Sequence, residues 1–105
     1  MRKVIGIGET ILDILFKQHT ATTSVPGGST FNAMISLGRA GIPACFVSEV
    51  GADTVGDIVG HFLSYNGVDD RYLTRHPERR SPISLAFLDE HNNATYTFYK
   101  EPFGE

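Results

Sequence analysis

Apolar and polar residues follow two rhythms along this chain. Up to about residue 75, short apolar runs alternate with helix-length amphipathic stretches. Val4 to Gly8 is an apolar run ending in glycine, as in a buried parallel strand. Ile11 to Phe16 is again apolar, broken only by Asp13, and the polar stretch Lys17 to Ser24 leads to Pro26-Gly27-Gly28. Ser29 or Thr30 can cap a helix over Phe31 to Ala40, with Ala33, Leu37 and Ala40 on one apolar face. Gly41 and Pro43 stop it.

Ala44 to Val50 then predicts a second buried strand ending at Gly51. Asp53 or Thr54 can cap a second helix over Val55 to Tyr65, with Val55, Ile58, Val59 and Phe62 at helical spacing and Asn66-Gly67 closing it. Asp70 to Thr74 reads as a third short strand. Strand, helix, strand, helix, strand is the order of a parallel α/β layer. The last part changes rhythm. Ile83 to Leu88 and Ala94 to Tyr99 are β-prone runs around the polar turn Asp89-Glu90-His91-Asn92-Asn93, which predicts a hairpin in a separate small sheet. The segment Ile11 to Ser24 can add to that sheet.

Composition narrows the function classes. The chain has 105 residues and a formal charge of −3, which disfavours a nucleic-acid surface. The one basic cluster, His76-Pro77-Glu78-Arg79-Arg80, reads as a solvated loop. The single cysteine, Cys45, excludes an internal disulfide and sits in an apolar run, so it reads as a buried thiol. No apolar run approaches the length of about 20 residues that spans a bilayer. The N-terminal apolar stretch is too interrupted for a signal peptide, so a reduced, cytoplasmic protein is expected.

The most informative segment is Pro26-Gly27-Gly28-Ser29-Thr30-Phe31-Asn32. Paired glycines before a helix let a ligand approach the backbone, and free N–H groups at the helix start favour oxygen atoms. Asn32 can donate and accept hydrogen bonds together, which suits adjacent sugar hydroxyls. A plain glycine turn with a helix cap fits the same residues. Asp13 interrupts an apolar run. It either faces a cavity, where it could accept from two hydroxyls, or faces water from a half-exposed strand. Gly6-Ile7-Gly8 lacks the third glycine of the dinucleotide fingerprint, because Ile11 stands there. His19, His61, His76 and His91 show no paired metal spacing, so no metal site is expected.

Together these residues resemble the ribokinase-like (PfkB) carbohydrate kinases. Gly6-Ile7-Gly8-Glu9-Thr10-Ile11-Leu12-Asp13 resembles their opening strand, and Gly27-Gly28-Ser29-Thr30-Phe31-Asn32, followed by Gly41 and Gly51, resembles their first signature. Gly51-Ala52-Asp53-Thr54-Val55-Gly56 resembles their Gly-x-Asp-x-x-Gly, and Pro82 to Lys100 their lid hairpin. Thr30 and Met34 depart from the residues common at those positions, which leaves the sugar subtype open.

The resemblance implies an α/β ribokinase-like fold: a parallel sheet with flanking helices plus a small β lid, here the N-terminal part only. Residues of about 1–10 and 26–75 would form the core, and about 11–25 and 80–100 the lid. It implies that Asp13, Gly28 and Asn32 bind sugar hydroxyls, with Gly27 shaping the loop. Ser84, Ala86 and Phe98 match lid positions that close over the sugar. Lys100 matches a position that is basic in members acting on acidic sugars; a solvated edge-strand lysine fits it as well.

Members of the family run to roughly two or three times this length, in keeping with a core domain plus a lid. Their catalytic aspartate lies in a Gly-x-Gly-Asp motif near the C-terminal end, which this sequence lacks. The resemblance therefore implies ATP and Mg2+ for a full-length parent, neither bound by this chain alone, and no catalytic residue here. The isolated chain is expected to be inert, and poorly stable because half a parallel sheet leaves a face and an edge uncovered. A non-catalytic sugar-binding module, or one that forms a homodimer through the lid sheet, is the alternative.

Overall fold

The computed structural model describes residues 2–101. Its elements are β1 (Val4–Ile7), β2 (Ile11–Lys17), β3 (Thr20–Gly27), α1 (Ser29–Arg39), β4 (Ala44–Gly51), α2 (Thr54–Tyr65), β5 (Leu73–His76), β6 (Ile83–Leu88) and β7 (Ala94–Tyr99). They build two sheets. The first is parallel, in the order β1-β4-β5; the second has the order β3-β2-β6-β7. In the second, β2 runs antiparallel to β3 but parallel to β6, and β6 and β7 form the expected hairpin. The fold is thus mixed α/β with two helices, the class expected from the sequence.

One core holds the parallel sheet to its helices. Phe31, Met34 and Ile35 of α1 meet Ala44, Phe46 and Val50 of β4, and Val59 and Leu63 of α2 complete the cluster with Val68 and Leu73. Phe31 stands edge-on to Phe46, ring centroids 5.6 Å apart, and both rings are fully buried. A Cβ on Gly6 would come within 2.7 Å of Met34, so β1 carries glycine where α1 crosses it.

Several sequence expectations shift. The buried face of α1 is Phe31, Met34 and Ile35, with the expected Leu37 packed against its edge, while Ala33 and Ala40 are exposed. Neither Ser29 nor Thr30 caps the helix. Both lie inside it, and Gly28 is the cap residue, with no side-chain bond. α2 buries Gly56, Val59, Gly60 and Leu63, leaving Ile58 exposed. The third strand lies at Leu73–His76, later than Asp70 to Thr74. The segment Ile11 to Ser24 joins the second sheet as expected, but β3 runs on to Gly27, and its first six residues are exposed on the sheet's rim.

β1 is not buried as its apolar run suggested. Its face opposite α1 leaves Ile5 62% and Ile7 74% exposed. β1 is the edge of its sheet, and both helices pack on the other face, so nothing among the described residues covers those two side chains. Parallel sheets are normally covered on both faces.

Candidate functional site

Strand pairing aligns the residues singled out in the second sheet. Val25, Asp13, Ser84 and Phe98 form one row across its four strands. Strand side chains repeat every second residue, so the rows holding Ile11 with Gly27, and Leu15 with Ala86 and Tyr96, share that face. Asp13, Gly27, Ser84, Ala86 and Phe98 thus lie on one side of the sheet, and Lys100 continues the alternation of β7.

Asp13 is the centre of this face. Its Oδ1 accepts a short hydrogen bond from the Ser84 hydroxyl, which is fully buried. A Cβ on Gly27 would sit 2.9 Å from Asp13 Oδ2, so the glycine leaves room for the carboxylate. Asp13 itself is half-buried, which keeps part of its acceptor capacity free for a ligand. Ala86, 3% exposed, adds only a small wall one row further on.

The glycine pair joins this sheet to α1. Gly28 has φ 124°, a conformation that side chains rarely tolerate, and a Cβ there would lie 2.5 Å from the Glu9 carbonyl oxygen. Thr10, 2% exposed, donates its hydroxyl to the Gly27 carbonyl at 3.0 Å and so fixes the glycine turn against the β1–β2 connection. The Asn32 N–H closes the first helical bond to Gly28 O at 2.8 Å. Its side chain is exposed and makes no hydrogen bond among the described residues.

A cleft of about 500 Å³ opens where the two sheets and α1 meet, lined by Gly8, Gly28, Thr30, Pro82, Phe98 and Lys100 among others. A second hollow, about 450 Å³, shares Gly8, Glu9, Thr10, Pro82 and Lys100 and runs over Val47, Glu49 and Thr74. The first lies beyond the carboxyl end of β1, where open α/β sheets bind ligands, whereas the second extends along the middle of β4 and β5. Between them Lys100 Nζ reaches Glu9 Oε1 at 2.9 Å, so the end of β7 touches the loop after β1.

Of the residues named from sequence, Gly28, Phe98 and Lys100 line the cleft directly. Asp13, Gly27 and Ser84 form a second group beside it, joined to the first by the Gly27-Gly28 peptide and the Ser84–Phe98 pairing. Asp13 stands against Gly27, Asn32 meets Gly28 through its backbone helix bond, and neither side chain lines either hollow. Thr10 and Pro82 carry no sequence signal for a role; the burial of Thr10 and the place of Pro82 in both hollows reveal them.

The arrangement can grip a polyol: a carboxylate and exposed helix N–H groups supply acceptors and donors, and aromatic Phe98 supplies a flat apolar wall. Among the described residues no three His, Cys, Asp or Glu side chains gather as metal ligands, so no metal chemistry is assigned to them. Among the described residues no helix is long and apolar enough to cross a membrane.

Comparison with known proteins gives a consistent picture. The family model described as pfkB family carbohydrate kinase matches residues 1–103. A fructokinase of Vibrio alginolyticus is 26% identical over 102 residues, 97% of this chain but 33% of its own length. The crystal structure of an apo fructokinase from Vibrio cholerae O395 superposes with a TM-score of 0.86 at 27% identity, covering 97% of this chain and 35% of that one. A Xylella fastidiosa fructokinase solved with bound ATP shares the fold at 22% identity, with a TM-score of 0.81 over 93% of this chain and 33% of its own. The chain spans about a third of the length of these relatives.

Proposed function

The chain belongs to the pfkB family of carbohydrate kinases, and from that premise we propose that it forms the sugar-binding N-terminal part of an ATP-dependent carbohydrate kinase. The observation that carries the reading is the cluster around the glycine pair. Asp13, hydrogen-bonded by Ser84, faces Gly27, while Gly28 opens α1 beside a cleft of about 500 Å³.

In this reading Asp13 accepts from two adjacent sugar hydroxyls. Gly28 and the first-turn N–H groups donate to ring or hydroxyl oxygens, and Asn32 bridges a donor and an acceptor. The four-stranded sheet acts as the lid, with residues of about 11–25 and 80–100 in it and about 1–10 and 26–75 in the core. Ser84, Ala86 and Phe98 then close over the sugar and exclude water, which orients one hydroxyl for transfer. Lys100, paired with Glu9, holds the lid end against the core.

Phosphoryl transfer further needs a base, an anion hole and a nucleotide site, with ATP and Mg2+ supplying the phosphoryl group and its charge neutralisation. The bound ATP of the Xylella fastidiosa relative supports ATP as the donor. The Gly-x-Gly-Asp motif that carries the family's base does not occur in this sequence, so this chain alone is proposed to be inert, and its single buried cysteine fits a reducing cytoplasm. A calorimetric titration with fructose, a neutral ketose, tests the sugar reading: binding that Asp13→Ala abolishes supports it, and binding unaffected by that change would sink it.

One observation favours a second reading, association through the lid. On the face away from Asp13, Phe16 and Phe87 stack with centroids 5.1 Å apart, yet Phe87 remains 40% exposed. A homodimer that covers this pair would show a doubled mass by light scattering, lost in Phe87→Ser.

A further inference from the structure

The segment Gly51-Ala52-Asp53-Thr54-Val55-Gly56 is absorbed by neither the sugar site nor the core, yet its one carboxylate is unusually well connected. Asp53 Oδ1 accepts from the Gly56 N–H at 2.8 Å, capping α2, and from the Ser81 hydroxyl at 2.5 Å. Asp53 Oδ2 accepts from the Ser81 N–H at 2.8 Å. The same hydroxyl accepts from the Gly51 N–H at 2.9 Å, and Ser81 is 7% exposed. The packing admits little play. A Cβ on Gly51 would come within 2.4 Å of the Arg79 carbonyl oxygen and 2.7 Å of the Ser81 nitrogen, and one on Gly56 within 2.3 Å of the Gly51 carbonyl oxygen.

The residue after Ser81 makes this more than a helix cap. Pro82 lines both hollows of the site, and its carbonyl accepts the Leu12 N–H at 3.1 Å, the bond that opens the pairing of β6 with β2. One residue further along those strands stand Asp13 and Ser84. A helix cap needs one oxygen. The second carboxylate oxygen is spent on the crossover between the sheets.

We infer that Asp53 is a positioning residue that pins the root of the four-stranded sheet to α2, fixing Pro82 in the wall of the cleft and setting where Asp13 and Ser84 stand beside it. Residues at this junction carry the only covalent route from β5 into β6, so loosening Ser81 frees the sheet's root while α2 stays folded. The half-buried carboxylate and its charge-assisted bonds make the link firm, since such bonds are roughly twice as strong as neutral ones.

The test separates the cap from the pin. In Asp53→Ser the hydroxyl still caps α2, because serine is as good a cap as aspartate. It offers one oxygen where the carboxylate offered two, so the Ser81 N–H, which bonds Oδ2, loses its acceptor, while the Ser81 hydroxyl shares Oδ1 with the cap. Amide hydrogen exchange on the full chain should then quicken about tenfold or more at Ser81 and Leu12 and along β6, with α2 amides within about twofold of the parent, as expected from losing one or two charge-assisted bonds. Ser81→Ala, which leaves Asp53 and the cap intact, should reproduce the pattern more weakly, and it decides the matter if Asp53→Ser fails to fold. Unchanged exchange at Leu12 and β6, or acceleration shared equally with α2, would overturn the inference. This readout needs no sugar, so it stands or falls apart from the proposed function. Where that function holds, the same variants weaken sugar affinity as well.

Discussion

Gly28→Ala is the sharpest probe of the site's backbone, and Gly41→Ala is its internal control. Both glycines have positive φ, 124° and 79°. At Gly41 an added Cβ meets nothing within 4 Å, so the substitution costs only the left-handed penalty of about 1–2 kcal/mol. At Gly28 the conformation is close to one that only glycine adopts freely, which costs about 1–3 kcal/mol. The new methyl would also lie 2.5 Å from the Glu9 carbonyl oxygen. Relieving that overlap means moving the β1–β2 loop or the start of α1, about 1–3 kcal/mol more by analogy with overpacked cores. Gly28→Ala should thus destabilise by about 2–6 kcal/mol, clearly more than Gly41→Ala. Urea unfolding followed by circular dichroism gives both numbers. Equal losses for the two variants would refute the close approach of Gly28 to Glu9, and with it the tight glycine cradle.

Other outcomes rest on the same structure. Phe46→Ala should cost about 3–5 kcal/mol because the ring is fully buried, whereas replacing both Ile5 and Ile7 by Thr should change stability by less than about 0.5 kcal/mol, as for surface positions; a large loss from the second change would mean that β1 is covered after all. Burial alone would raise the Asp53 carboxyl, but bonds from the Ser81 side chain and backbone and from Gly56, with the nearby Arg75 charge, hold it below the ordinary aspartate value. Its folded value being depressed, the stabilisation is present above the unfolded aspartate pKa of about 3.9 and is lost as pH falls through the folded value. Asp53→Ser should therefore flatten part of the drop in thermal midpoint at acid pH, and an unchanged acid profile would contradict the assignment. Lys100→Ala should alter stability by no more than about 1 kcal/mol, and less in high salt, because the pair with Glu9 is exposed; a larger, salt-independent loss would argue against a surface latch.

Most of the parallel layer was legible because β1 and β4 are apolar runs closed by glycine and the helices carry recognisable stops, whereas β5, Leu73-Thr74-Arg75-His76, is mostly polar and lies later than its pattern suggested. The hairpin was legible to the residue, Ile83–Leu88 and Ala94–Tyr99, since a five-residue polar turn separates two β-prone runs. β3 was harder to read. Its threonines are polar but β-branched, and the turn before it, Gln18-His19, takes positive φ without the asparagine or glycine that marks such turns. The apolar run of β1 signals a buried strand, but a pattern cannot say whether the covering element is present. At the site, glycines and one misplaced carboxylate pointed to Asp13, Gly27 and Gly28. The partners that hold them, Thr10 and the Asp53–Ser81 link, depend on contacts between residues 17 and 28 positions apart, which no local pattern encodes.

The central claim is that a sugar sits against the glycine pair, beneath the face of the sheet that carries Asp13. An amide chemical-shift map of the isotopically labelled chain during a fructose titration tests it most directly. The account predicts saturable shifts concentrated at Asp13, Gly27, Gly28, Asn32 and Phe98, with residues on the far side of the core, such as Tyr65, unmoved. A map with no saturable shifts, or with shifts centred away from the glycine pair, would contradict it.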